Sequence, residues 1–197
     1  MNKGKAYKIA IRAILIAIII IQTMTPFLGF IPLGIINITI VHITVIVAAI
    51  VLSPADGALI GLIWGLGTML RAYTAPTSPL DTLVFTNPII AVLPRVLVGY
   101  FAGITYRFFK NKFHKAVLSM TIASVVGTLT NTVFVLGLMR IMYASAMASS
   151  YGTSVSLLNK TIMGVVASNG IPELIAAVII VPIICSALFK ANKFLRT

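Results

Sequence analysis

The chain has 197 residues, of which 59% are hydrophobic and 9% charged, a mean hydropathy of +1.10 and a formal net charge of +12. Soluble domains carry about 25% charged residues, so this composition excludes an ordinary soluble domain and predicts an integral membrane protein. The apolar runs are continuous rather than alternating, which points to spanning helices and away from barrel strands; the expected class is all-α, with six transmembrane helices in one domain over 1–197.

The first apolar run, 9–25, follows the basic tail "MNKGKAYK". No small-residue cleavage site follows it, so it reads as a retained helix. The segment 26–37, "PFLGFIPLGIIN", holds two prolines and two glycines and reads as a loop. A second span is expected over 38–52, then a tight turn at "SPADG" (53–57), then a third span over 58–73. A proline-rich loop fills 74–88, a fourth span covers 89–109, and "KNKFHK" makes a short basic link. The fifth span is expected over 116–143. A small, polar segment follows, and then a last apolar region, 161–189, interrupted at "SNGIPE" with its final span over 169–189.

With the N-terminus inside, 11 of the 15 basic residues fall on cytoplasmic segments, so both termini are expected in the cytoplasm. The positive charge then marks orientation and attraction to anionic lipid of the bilayer, not nucleic acid. The other four, Arg71, Arg95, Arg140 and Lys160, fall at the outer ends of spans.

Arg95 sits in "AVLPRVLVGYFAG", about 9 Å below the outer end of the fourth span. Arginine stays charged in proteins, so something must compensate it. Other polar groups lie in the same outer half: Asn37, His42, Asn131, Asn169 and Glu173. Intramembrane polar groups face a bundle interior or a wet cavity, and one outward-facing pocket accounts for all six as substrate-binding candidates. Alternatives stay open for each. Arg95 can form a structural ion pair with Glu173; His42 and Asn131 can bond between helices. "ASNGIPE" reads as a helix start with Asn169 as its cap, Pro172 in the first turn and Glu173 as the capping acid. Exposed to a cavity, such a start attracts an anion; a structural kink is the other reading.

Gly57, Gly61 and Gly65 recur every fourth residue, as do Gly99 and Gly103, a spacing that lets helix backbones approach closely. Ala6, Ala10, Ala13 and Ala17 form a smooth stripe in the first span. The three acids and two histidines are too scattered for a metal site or a catalytic pair, and no phosphate-binding loop of the ATPase type is present. No enzyme activity, metal or cofactor is therefore expected, and Cys185, the single cysteine, reads as a small core hydrophobe.

The alanine stripe, "LSPADGALIGLIWGL", "LPRVLVG", "GTLTNT" and "SNGIPELIAAVIIVP", in this order over nearly the whole chain, resemble the S components of energy-coupling factor (ECF) vitamin transporters, most of all their pantothenate-type branch. The resemblance implies a six-helix, multi-pass protein of the cell membrane. It also implies that the protein binds a vitamin from outside and topples to release it inside. Ala13 and Ala17, with Ala10 extending the stripe, would dock on a T subunit powered by two cytosolic ATPases, and the loop 26–37 would be a lid. Riboflavin, folate or a pyridoxine-like vitamin are alternative substrates. A stand-alone facilitator or channel is the competing class, which needs a through-pore.

Overall fold

The computed structural model describes residues 3–33, 36–76 and 78–191. Among the described residues the regular structure is helical apart from one short hairpin. It opens with α1 (Lys3–Met24) and a single turn, α2 (Pro26–Gly29). The segment expected as a plain loop then pairs β1 (Phe30–Leu33) with β2 (Ile36–Thr39), antiparallel, Phe30 opposite Thr39 and Pro32 opposite Asn37. Its prolines and glycines signal a turn, but "INIT" is also β-branched enough to pair, and Pro32 is tolerated in a strand with a free edge.

The second expected span is shorter than its apolar run. Helix α3 (Val41–Val51) has 11 residues, about 16 Å of rise, because the run gives up its first residues to β2. It is the core of the bundle: ten of its residues are buried, and Val45, Ile46 and Ala48 are wholly enclosed. "SPADG" is not a free turn but the start of α4 (Pro54–Thr74). The Ser53 hydroxyl oxygen accepts from the Asp56 amide at 3.0 Å, with Pro54 in the first turn, which is the combination that satisfies an orphan amide at a helix start.

The expected loop 74–88 contains α5 (Pro79–Phe85), capped by Ser78, and leads into the turn α6 (Pro88–Ala91). Helix α7 (Leu93–Phe113) runs through "KNK" and stops at His114, whose φ is +52°. The connection to α8 (Ala116–Met142) is correspondingly tight. After α9 (Ala144–Ser150) and α10 (Leu158–Val165), a π-helical turn over Val166–Gly170 passes into α11 (Ile171–Ala191). The expected fresh helix start at Asn169 is therefore absent. The amide of Ile171 donates to the Val166 carbonyl, and Asn169 makes no cap. Its backbone amides are used inside a continuous helix, so they offer no anion site there.

Four described segments are long and apolar enough to cross a membrane: Gly4–Met24, Pro88–Phe113, Ala116–Met142 and Leu158–Ala191. The paired glycines bring α4 and α7 together. A Cβ on Gly61 would fall on the Arg95 carbonyl, and one on Gly99 on the Gly57 backbone. Neither obstacle is a flexible side-chain end, so only glycine allows this approach. The contact sets Arg95 beside α4. At the opposite end, Arg12 Nη2 lies 2.6 Å from Asp56 Oδ1 and ties α1 to the start of α4. Gly103 packs on Pro54 and Ser186 reaches Met120 at this same end.

Candidate functional site

A cavity of about 620 Å³ lies at the end of the bundle away from the Arg12–Asp56 pair, within the size range usual for small-molecule sites. Its lining comes from α4, α5 and α7 and from β2, α8, the π turn and the start of α11.

Arg95 lines the cavity and is only 6% exposed. Its Nη1 donates to the Ile90 carbonyl at 2.6 Å. Its guanidinium carbon lies 5.1 Å from the Trp64 ring centre and 5.2 Å from that of Phe85, close enough for the ring faces to attract the cation. Nε is buried without a hydrogen-bond partner. Among the described residues no carboxylate stands within ion-pair distance of it, so the Arg95–Glu173 pair considered from sequence is not formed. Two aromatic faces and one carbonyl hold the charge in place but do not neutralise it. Arg71 also lines the cavity, within electrostatic reach of Arg95 on one side and Asp81 on the other. In the connection after α9, burial first and the Asp81 charge second push the Tyr151 phenol above its ordinary pKa, so its hydroxyl stays a neutral donor at physiological pH.

Amides and one acid line the cavity too. Asn131 lines it from α8, and its Oδ1 is buried without a partner. Asn169 lines it from the π turn, its Oδ1 facing the Ser168 hydroxyl at 3.5 Å. Glu173 is 7% exposed, and its Oε1 accepts the Thr39 amide at 2.7 Å, which fastens the end of the hairpin to α11. One sequence candidate lies elsewhere. His42 is wholly buried in the first turn of α3, beside the Thr39 backbone, and is not on the cavity wall. Asn37 stands in β2 opposite Pro32, and its side chain lies outside the described residues.

Sequence reasoning missed Trp64, Phe85 and Asp81. Trp64 had a signal: it shares the face of α4 with Gly57, Gly61 and Gly65, all of them buried. Phe85 had none, because its segment reads as loop.

On α1 the face toward the bundle is Ile11, Leu15 and Ile19, all buried. Ala10, Ala13 and Ala17 are exposed on its other side, with Ile14, Ile18 and Ile21 among them. The alanines thus take no part in the bundle's own core.

A family model described as "ECF transporter, substrate-specific component" matches residues 7–185. The chain is 34% identical to the pantothenate transporter PanT of Leuconostoc mesenteroides over 194 residues, 95% of each chain. It is also 34% identical to the pantothenic acid transporter PanT of Lactococcus lactis, covering 98% of this chain and 99% of that one. Among solved structures, ThiT from Listeria monocytogenes shares the fold with a TM-score of 0.55 and 21% identity, over 93% of this chain and 97% of that one. An apolar helical bundle with a cavity at one end that buries polar side chains, matched along most of its length, makes this integral membrane protein a member of the family of ECF transporter substrate-specific components.

Proposed function

We propose that the chain captures pantothenate from outside the cell and delivers it inward as the substrate-binding subunit of an ECF importer. The observation that carries the reading is Arg95: a buried guanidinium on a cavity wall, held by Trp64, Phe85 and the Ile90 carbonyl but without a carboxylate. A buried charge without a counter-ion is costly, and a ligand carboxylate supplies one. The two PanT relatives favour pantothenate over other anionic vitamins. Asn131, Asn169 and Glu173, which line the same cavity, then serve hydroxyl and amide groups of the ligand. His42 is assigned a packing role in α3.

Purified protein, washed free of endogenous ligand, should bind pantothenate in a calorimetric titration with one site per chain. Binding of thiamine or riboflavin in its place would overturn the substrate assignment. Uptake by the chain alone in vesicles lacking ATP would overturn the importer reading and favour a facilitator.

In this reading all six expected spans belong to a single domain, α3 and α4 complete the bundle, and both termini face the cytoplasm. The cavity then opens outward, and the basic residues at the far end meet anionic lipid. Cys185 is buried, so introduced thiols can be read against a quiet background. In intact cells, an impermeant thiol reagent should label Thr82→Cys and spare Asn111→Cys; the reverse pattern would sink the orientation.

A further inference from the structure

A carboxylate is an unexpected neighbour in a cavity that takes an anion. Asp81 has Arg71 within electrostatic reach. Glu173 has no such partner: among the described residues, no basic side chain lies within ion-pair distance of it. Nor is Glu173 at liberty to leave. Its Oε1 is held by the Thr39 amide at 2.7 Å, and it stands in the first turn of α11, almost wholly enclosed. It lines the cavity from α11, and Arg95 lines the same cavity from α7.

We propose that Glu173 is a specificity-determining residue: it rejects ligands that carry a second anionic group at the end remote from their carboxylate. The site so built takes a mono-acid whose far end is neutral and hydroxylated, and refuses the phosphate ester of the same molecule. This rests on the capture of pantothenate proposed above, which has one carboxylate at one end and two hydroxyls at the other. With the carboxylate against Arg95, the hydroxyl end is left for the other polar residues of the same cavity, Asn169 and Glu173 among them. A hydroxyl donates to a carboxylate oxygen. A phosphate there meets a carboxylate held in place by the Thr39 amide, and two anionic groups repel each other strongly where water is scarce. Discrimination by a repulsive element is effective because the wrong ligand cannot avoid the contact without giving up the right one.

The test compares pantothenate with its phosphate ester at the terminal hydroxyl, by titration of purified full-length protein. Wild type should bind the ester at least about 100-fold more weakly than the acid. Glu173→Gln keeps an oxygen for the Thr39 amide and removes the charge, and it should narrow that ratio by about tenfold or more, with the ester gaining affinity in absolute terms. A gain of binding is not an outcome of misfolding. The wild-type protein supplies a second measurement: an acetyl ester at the same hydroxyl, neutral and bulky, should bind much better than the phosphate. If acetyl and phosphate esters are rejected equally, size excludes them and the proposal fails. It fails too if the ratio is the same in Glu173→Gln, or if wild type binds the phosphate ester as well as the acid. Absence of pantothenate binding to wild type is a different failure: it defeats the substrate assignment, and the orientation argued from it falls with it.

Discussion

Arg95→Gln is expected to weaken pantothenate binding ten- to hundredfold. A hydrogen bond to a charged group contributes about 1.5–3 kcal/mol, and each 1.4 kcal/mol is tenfold in affinity. The guanidinium is already oriented: one nitrogen is fixed by the Ile90 carbonyl, and its carbon lies over the rings of Trp64 and Phe85. Little ordering remains to be done when a carboxylate arrives, which is the condition under which a charge-assisted pair gives most of its strength. Arg95→Lys should recover only part of the loss, since an ammonium has neither the planar fork nor the stacking surface. The ligand gives the sharper control. The neutral amide of pantothenate should bind wild type poorly but lose little more on Arg95→Gln. If acid and amide suffer equally, Arg95 holds α5 and α6 together through Phe85 and Ile90, and the anion argument is wrong.

That arrangement was half legible in the sequence. A permanent cation inside "AVLPRVLVG" announces a polar environment whatever surrounds it, and the four-residue glycine spacing announces a close helix approach, which the structure places between α4 and α7, beside Arg95. Its partners were not legible. Phe85 arrives from a short helix inside a proline-rich stretch, and the Ile90 carbonyl comes from the turn just before α7. Both are tertiary encounters that local pattern does not encode. The run 38–52 shows a related blindness: a continuous apolar stretch does not tell a strand from a helix by period, and the chain divides it between β2 and α3. At Asn169 the sequence held all the marks of a helix start, yet the structure widens one turn to π instead. The wide turn keeps the backbone bonded while Asn169, Gly170 and Glu173 still reach the cavity wall. Such π turns often occur at functional sites, and neither capping nor proline rules predict them.

Ala17→Trp, and equally Ala13→Trp, should abolish pantothenate uptake in cells that carry the whole transporter while leaving the ligand affinity of the purified chain within about twofold of wild type. Helices in a bilayer gain little from burying apolar surface against one another, because lipid is as apolar as they are. Close approach over small residues is what favours one helix against another. On α1 the bundle-facing side is filled by Ile11, Leu15 and Ile19, so nothing inside the protein needs the alanines to be small. Their exposed face is the surface on which we propose that a T subunit docks. The Arg12–Asp56 pair, reinforced by the Ser53 hydroxyl on the other carboxylate oxygen at 2.6 Å, holds this part of α1 against the start of α4. The stripe is therefore presented from a fixed base, and an indole at position 13 or 17 cannot be accommodated by a tilt of α1 alone. The substitutions are remote from Arg95, Asn131 and Glu173, which is why binding and uptake should separate. Two results would overturn the assignment. Unchanged uptake would mean that the partner docks elsewhere, and loss of pantothenate binding by the purified variants would mean that α1 supports the cavity through its outer face as well as its inner one.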